Sequence, residues 1–93
     1  MPGDKLIMEN KNLRIRIVLD RPYHEDDLKL RYALVDTIEE RGIGEVWDEG
    51  MGEGYMEVNV ELQPTEEKEK EVKSILQSLG LLQSSEIFLE DLE

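Results

Sequence analysis

Tyr55-Met-Glu-Val-Asn-Val-Glu-Leu62 is the stretch on which the fold turns. Met56, Val58, Val60 and Leu62 fall on one side of an extended chain, and Tyr55, Glu57, Asn59 and Glu61 fall on the other. That period of two is what a half-buried strand requires. Just upstream, Gly50-Met-Gly-Glu-Gly54 reads as a hairpin loop, because glycine takes the positive φ angles of tight reversals. Residues 43–49 before it read as the preceding strand. Further out, Leu13-Arg-Ile-Arg-Ile-Val-Leu19 alternates in the same way, with Leu13, Ile15, Ile17 and Leu19 inward. Asp20-Arg-Pro22 ends that strand, since proline cannot donate to a ladder. Residues 86–92 read as a short last strand.

Two helical segments separate these strands. In the first, Asp26 or Asp27 is positioned to cap, and Leu28, Tyr32, Val35 and Ile38 recur at helical spacing, with Leu34 widening the stripe. Gly42 stops it, which sets Ile43 against Ile38 as the apolar pair of a Schellman motif. In the second, Thr65 caps, and Val72, Ile75, Leu76 and Leu79 form the inward stripe. Glu66–Lys70 and Glu69–Lys73 are spaced as favourable pairs on its outer surface. Gly80 ends the helix, and Leu81 meets Leu76. The order is β-α-β-β-α-β. Right-handed crossovers fold such a chain into one four-stranded antiparallel sheet, with the first and third strands central and both helices on one face. The expectation is therefore a ferredoxin-like α+β domain over residues 13–93, preceded by a mobile lead-in over residues 1–12.

Composition narrows the function classes. Ninety-three residues make one domain. The absence of cysteine excludes disulfides, thiolate metal sites and cysteine nucleophiles. No apolar run approaches the length of a membrane span, and MPGDKLIMENKN lacks the apolar core of a signal peptide. A cytoplasmic protein is expected. The formal charge is −12, from 11 basic and 23 acidic side chains. It is unevenly spread: residues 1–44 carry 9 acids and 8 bases, and residues 45–93 carry 14 acids and 3 bases. Such a field disfavours nucleic acid and anionic membranes and favours a basic protein partner.

No catalytic constellation stands out, and no enzyme is expected. One histidine and no cysteine supply no tuned acid, base or nucleophile. Tyr23-His-Glu-Asp-Asp27 holds the single imidazole among carboxylates, but a helix start with a surface histidine explains it, so neither a metal nor a cofactor is expected. The glycines at 50, 52 and 54 lie between two strands rather than at a helix N-terminus, and the adjoining acids repel phosphate. A calcium loop would need carboxylates at a spacing that Asp48-Glu-Gly-Met-Gly-Glu53 does not have. Asp20-Arg-Pro-Tyr-His-Glu-Asp-Asp27 carries no glycine and four acids, unlike the phosphate loop of acylphosphatases. The third strand lacks the aromatic motif of RNA-recognition domains.

Two surfaces remain. The first is the sheet face away from the helices. There Arg14, Arg16, Val18 and Phe88 join Glu57, Asn59 and Glu61, with the inward or outward direction of Trp47 left open. The bland reading is a solvated charge ladder; the sharper one is an interface, for which aromatic anchors are enriched. The second surface is the acidic hairpin. Together they give a candidate partner-binding set of Trp47, Asp48, Glu49, Glu53, Tyr55 and Glu57.

Gly42-Ile-Gly-Glu-Val-Trp-Asp-Glu-Gly-Met-Gly-Glu-Gly54, followed by the alternating strand, resembles a group of small bacterial proteins with a G-x-G-E…G-x-G hairpin in a β-α-β-β-α-β chain. That group brings no assigned chemistry with it. In size and acidity the chain is similar to immunity proteins that neutralise secreted toxins, which implies a non-enzymatic module binding a basic partner. The alternative expectation is a regulatory domain that senses a small ligand and forms a homodimer through its sheet.

Overall fold

The computed structural model describes residues 9–92. Most of the lead-in expected to be mobile, residues 1–8, lies outside them. The elements run β1 (Lys11–Val18), α1 (Glu25–Glu40), β2 (Glu45–Gly52), β3 (Tyr55–Leu62), α2 (Glu66–Ser78), a 3-10 turn (Leu82–Ser84) and β4 (Ser85–Glu90). They form an α+β arrangement with one four-stranded sheet in the order β2-β3-β1-β4, every neighbouring pair antiparallel. The two alternating strands, β1 and β3, are central. β1 starts at Lys11, two residues before the alternation makes it visible, because Asn12 pairs with both Glu61 on β3 and Glu90 on β4.

The core follows from the two periodicities. Leu13, Ile15 and Ile17 of β1 meet Met56, Val58, Val60 and Leu62 of β3 on one sheet face. Leu34, Val35 and Ile38 of α1 and Val72, Ile75 and Leu76 of α2 pack onto that same face. Burial of an aliphatic side chain of this kind contributes about 1.5–3 kcal/mol, so these residues hold the sheet and both helices together. Ile43 N–H donates to Ile38 C=O at 3.1 Å, and Leu81 N–H donates to Leu76 C=O at 2.8 Å. These are the two expected Schellman closures, the first turning at Gly42 with φ 65°. Thr65 caps α2 by accepting from Lys68 N–H at 3.2 Å.

Several local expectations are corrected. The cap of α1 is His24 rather than Asp26 or Asp27. His24 Nδ1 accepts from Asp26 N–H at 3.3 Å, and Asp27 accepts from His24 N–H at 2.8 Å in return. Tyr32 does not belong to the buried stripe of α1; it is 51% exposed, and Arg31 turns inward instead. The reason lies on β2, where Glu49 receives the Arg31 guanidinium at 3.1 Å. The expected five-residue hairpin loop is a two-residue turn, Glu53-Gly54. β2 continues through Gly50, Met51 and Gly52, and Gly52 pairs with Tyr55. β4 ends at Glu90, not at residue 92. Neither expected pair on α2 closes to an ion pair among the described residues, where the acids and lysines stand in solvent.

Candidate functional site

Among the described residues, no helix covers the second face of the sheet. Strand parity puts Asn12, Arg14, Arg16 and Val18 of β1 there, beside Tyr55, Glu57, Asn59 and Glu61 of β3 and Glu86, Phe88 and Glu90 of β4. β2 adds Glu45, Asp48 and Gly52. The register of β2 shifts between Val46 and Asp48, so Trp47 is the extra residue of a β-bulge. Its indole lies on this open face, 55% exposed, and Nε1 donates to Asn12 Oδ1 at 3.0 Å, spanning the width of β3.

Below the indole sits a buried pair of amides. Asn12 Nδ2 donates to Asn59 Oδ1 at 3.0 Å and to Glu90 at 3.3 Å. Asn59 Nδ2 in turn faces Asp48 at 3.3 Å and Glu57 at 3.4 Å. Both amides are nearly inaccessible, so every donor and acceptor in this chain is best matched internally. Arginines occupy the middle of the face. Arg14 lies 3.0 Å from Glu90 and 3.5 Å from Glu57, with its guanidinium 4.8 Å from the centre of the Phe88 ring. Arg16 stacks on Tyr55 at 4.3 Å. Cation–π stacks of this sort contribute about 0.5–1 kcal/mol each at exposed sites. The Tyr55 ring can lie flat because Gly52 sits beneath it, where a Cβ would be only 2.5 Å from the ring. The face is therefore a cationic and aromatic centre bordered by carboxylates, held by an amide network.

Of the hairpin set, Trp47, Asp48, Tyr55 and Glu57 come together on this face, and Glu53 stands at the tip of the adjoining turn. Glu49 does not join them. It faces the helix side and is engaged by Arg31. Arg14, Arg16, Val18 and Phe88 share the open face as the alternation implies. The sequence reading missed Asn12, which it placed in the lead-in, and the acids Glu86 and Glu90. The alternation of β4 carries the signal for those two.

A second polar cluster stabilises the start of α1. Arg21 donates to both oxygens of Asp27, at 2.6 and 2.7 Å. Those bonds hold the Asp27 carboxyl down at about 2 against an ordinary 3.8, assisted by the His24 N–H and opposed by burial. The cluster is a cap. The third, between Lys11 and Asp91 at 2.6 Å, raises the lysine and lowers the acid by their mutual hydrogen bond. Among the described residues, no group of three or more His, Asp or Glu side chains is placed to hold a metal ion. None of the described helices is long and apolar enough to cross a membrane. Comparison with family models, curated proteins and solved structures returned no match to this chain.

Proposed function

We propose that this protein is a non-enzymatic interaction module whose open sheet face and acidic hairpin receive a basic protein partner. The observation that carries the reading is the grouping on one uncovered face of Trp47, Tyr55 and Phe88, with Asp48, Glu57, Glu86 and Glu90 around them. Trp47 offers an exposed ring for a partner's arginine to stack on. Phe88 and Tyr55, already stacked by Arg14 and Arg16, extend the aromatic surface beside it, and the bordering carboxylates orient an incoming cation. The net charge of −12 speeds the encounter with such a partner. An immunity-type role, in which the partner is a basic toxin, is the specific form of the proposal. The β-α-β-β-α-β order with β1 and β3 central supports reading the domain as ferredoxin-like.

The test is capture from the native host's lysate at low salt, followed by titration with the purified partner. A basic protein is expected whose affinity falls by about tenfold or more between low and physiological salt. Trp47→Glu and Phe88→Glu, each checked for a native circular dichroism spectrum, should lose it. Binding that is indifferent to salt, or unchanged in both variants, overturns the reading.

A further inference from the structure

The outer edge of the sheet at β4 has features that the open face does not explain. β4 bonds to β1 on one side, and no described strand pairs with its other side. Its core-facing residue Leu89 is 51% exposed, although its neighbour in the register, Leu13, is buried. The reason is a groove of about 130 Å³ between β4 and the start of α2, floored by Leu13 and Leu62, flanked by Leu89, and rimmed by Glu66 and Glu69. That volume suits one aliphatic side chain. The edge thus offers a row of backbone donors and acceptors, an apolar socket on one face, and Glu86 and Glu90 on the other.

We propose that this edge accepts an extended basic segment of a partner protein as a fifth strand. A leucine-like side chain of the segment fills the groove, and its lysines or arginines, on the opposite face of the strand, lie against Glu86 and Glu90. The inference rests on reading the chain as a module for basic partners, and it names the element by which such a partner is held. Charge selects this occupant over a second copy. Self-pairing centred on Phe88 sets Glu86 opposite Glu90. Self-pairing centred on Ile87 sets Glu86 against Phe88 and leaves Glu90 beyond the ladder. Both bring together two bodies of charge −12. An incoming strand with alternating lysine and leucine meets none of these costs, because strand parity sends its lysines to one face and its leucines to the other.

The probe is a synthetic eight-residue peptide of alternating lysine and leucine, used at concentrations where it is monomeric, against the full chain labelled with nitrogen-15 and with carbon-13 methyls. Saturable shifts are expected at the amides of residues 85–90 and at the methyls of Leu13, Leu62 and Leu89. Leu89→Ser, at an exposed position, should weaken binding tenfold or more, and Glu39→Gln on α1 should leave it within twofold. A peptide N-methylated at alternate residues keeps its charge but cannot complete the ladder, and it should bind at least tenfold more weakly. Equal binding of the N-methylated peptide, shifts confined to Trp47, Asp48 and Tyr55, or the absence of saturable shifts each overturn the inference. The sheet-face reading is judged separately, by partner capture with the Trp47 and Phe88 variants, so either can fail without the other.

Discussion

The indole of Trp47, on edge strand β2, donates a 3.0 Å hydrogen bond to the side chain of Asn12 on central strand β1. Three strands are thereby tied on a face that no described helix covers. Asn12 Oδ1 is buried, so removing the donor leaves an acceptor short of a partner. Trp47→Phe should keep most of the ring contact yet cost about 1 kcal/mol, read as a lower urea midpoint with an unchanged slope. No change in midpoint would show that water replaces the indole without loss.

Asp27 makes stability depend on acid. Its folded pKa of about 2 lies below the ordinary 3.8, so folding favours the ionised form. The contribution is complete above the unfolded value and fades as pH falls from about 4 toward 2. Asp27→Asn keeps one oxygen to accept from His24 N–H but removes the charge and the second oxygen that receive Arg21, and should cost about 1–2 kcal/mol at pH 7. In thermal melts at pH 7 and at pH 2.5, the gap between wild type and variant should narrow at the lower pH.

The glycines at 44 and 50 make opposite predictions. A Cβ on Gly44 would lie 2.6 Å from the Glu61 carbonyl oxygen and 2.8 Å from Val60 Cγ1, whereas one on Gly50 meets nothing within 4 Å. The carbonyl belongs to a ladder and cannot retreat. Gly44→Ala should therefore destabilise by about 1–3 kcal/mol. Gly50→Ala should stay within about 0.5 kcal/mol of wild type by chemical denaturation.

The Arg31–Glu49 pair predicts an asymmetry. Arg31 is buried, and its Nη1 finds no partner among the described residues. Glu49→Gln strips the guanidinium of its counter-charge and should cost about 1–3 kcal/mol. Arg31→Met replaces the cation with an apolar chain of similar length and should be near neutral, because desolvation of the charge disappears along with the pair. Equal losses in the two variants would contradict this account.

What the sequence disclosed was what is local. The closures at Gly42 and Gly80 each span six residues, and the parity of β1 and β3 needs only the alternation itself. Tyr32 and Arg31 could not be sorted from the helix alone, because Arg31 turns inward for an acid that arrives from β2. The glycines at 50 and 52 resembled a loop because nothing local shows that a tyrosine ring will lie over Gly52. Trp47 defeated periodicity for a related reason: one extra residue inverts the parity of everything beyond it, and a bulge leaves no mark in the apolar pattern. The open face was legible as a set of residues. Its amide network was not, since it depends on the register between three strands.

The contact between Lys11 and Asp91 has a mechanical meaning. β1 begins and β4 ends at one corner of the sheet, with Asn12 opposite Glu90. Tension applied between residues 11 and 91 therefore acts across the ladder, not along it. It loads one pair of hydrogen bonds at a time, and β4 should peel from β1 like a zipper at low force while the β2–β3 hairpin remains folded. A tether joined on either flank of residues 11–91 leaves from that same corner, and the hairpin tip points the opposite way.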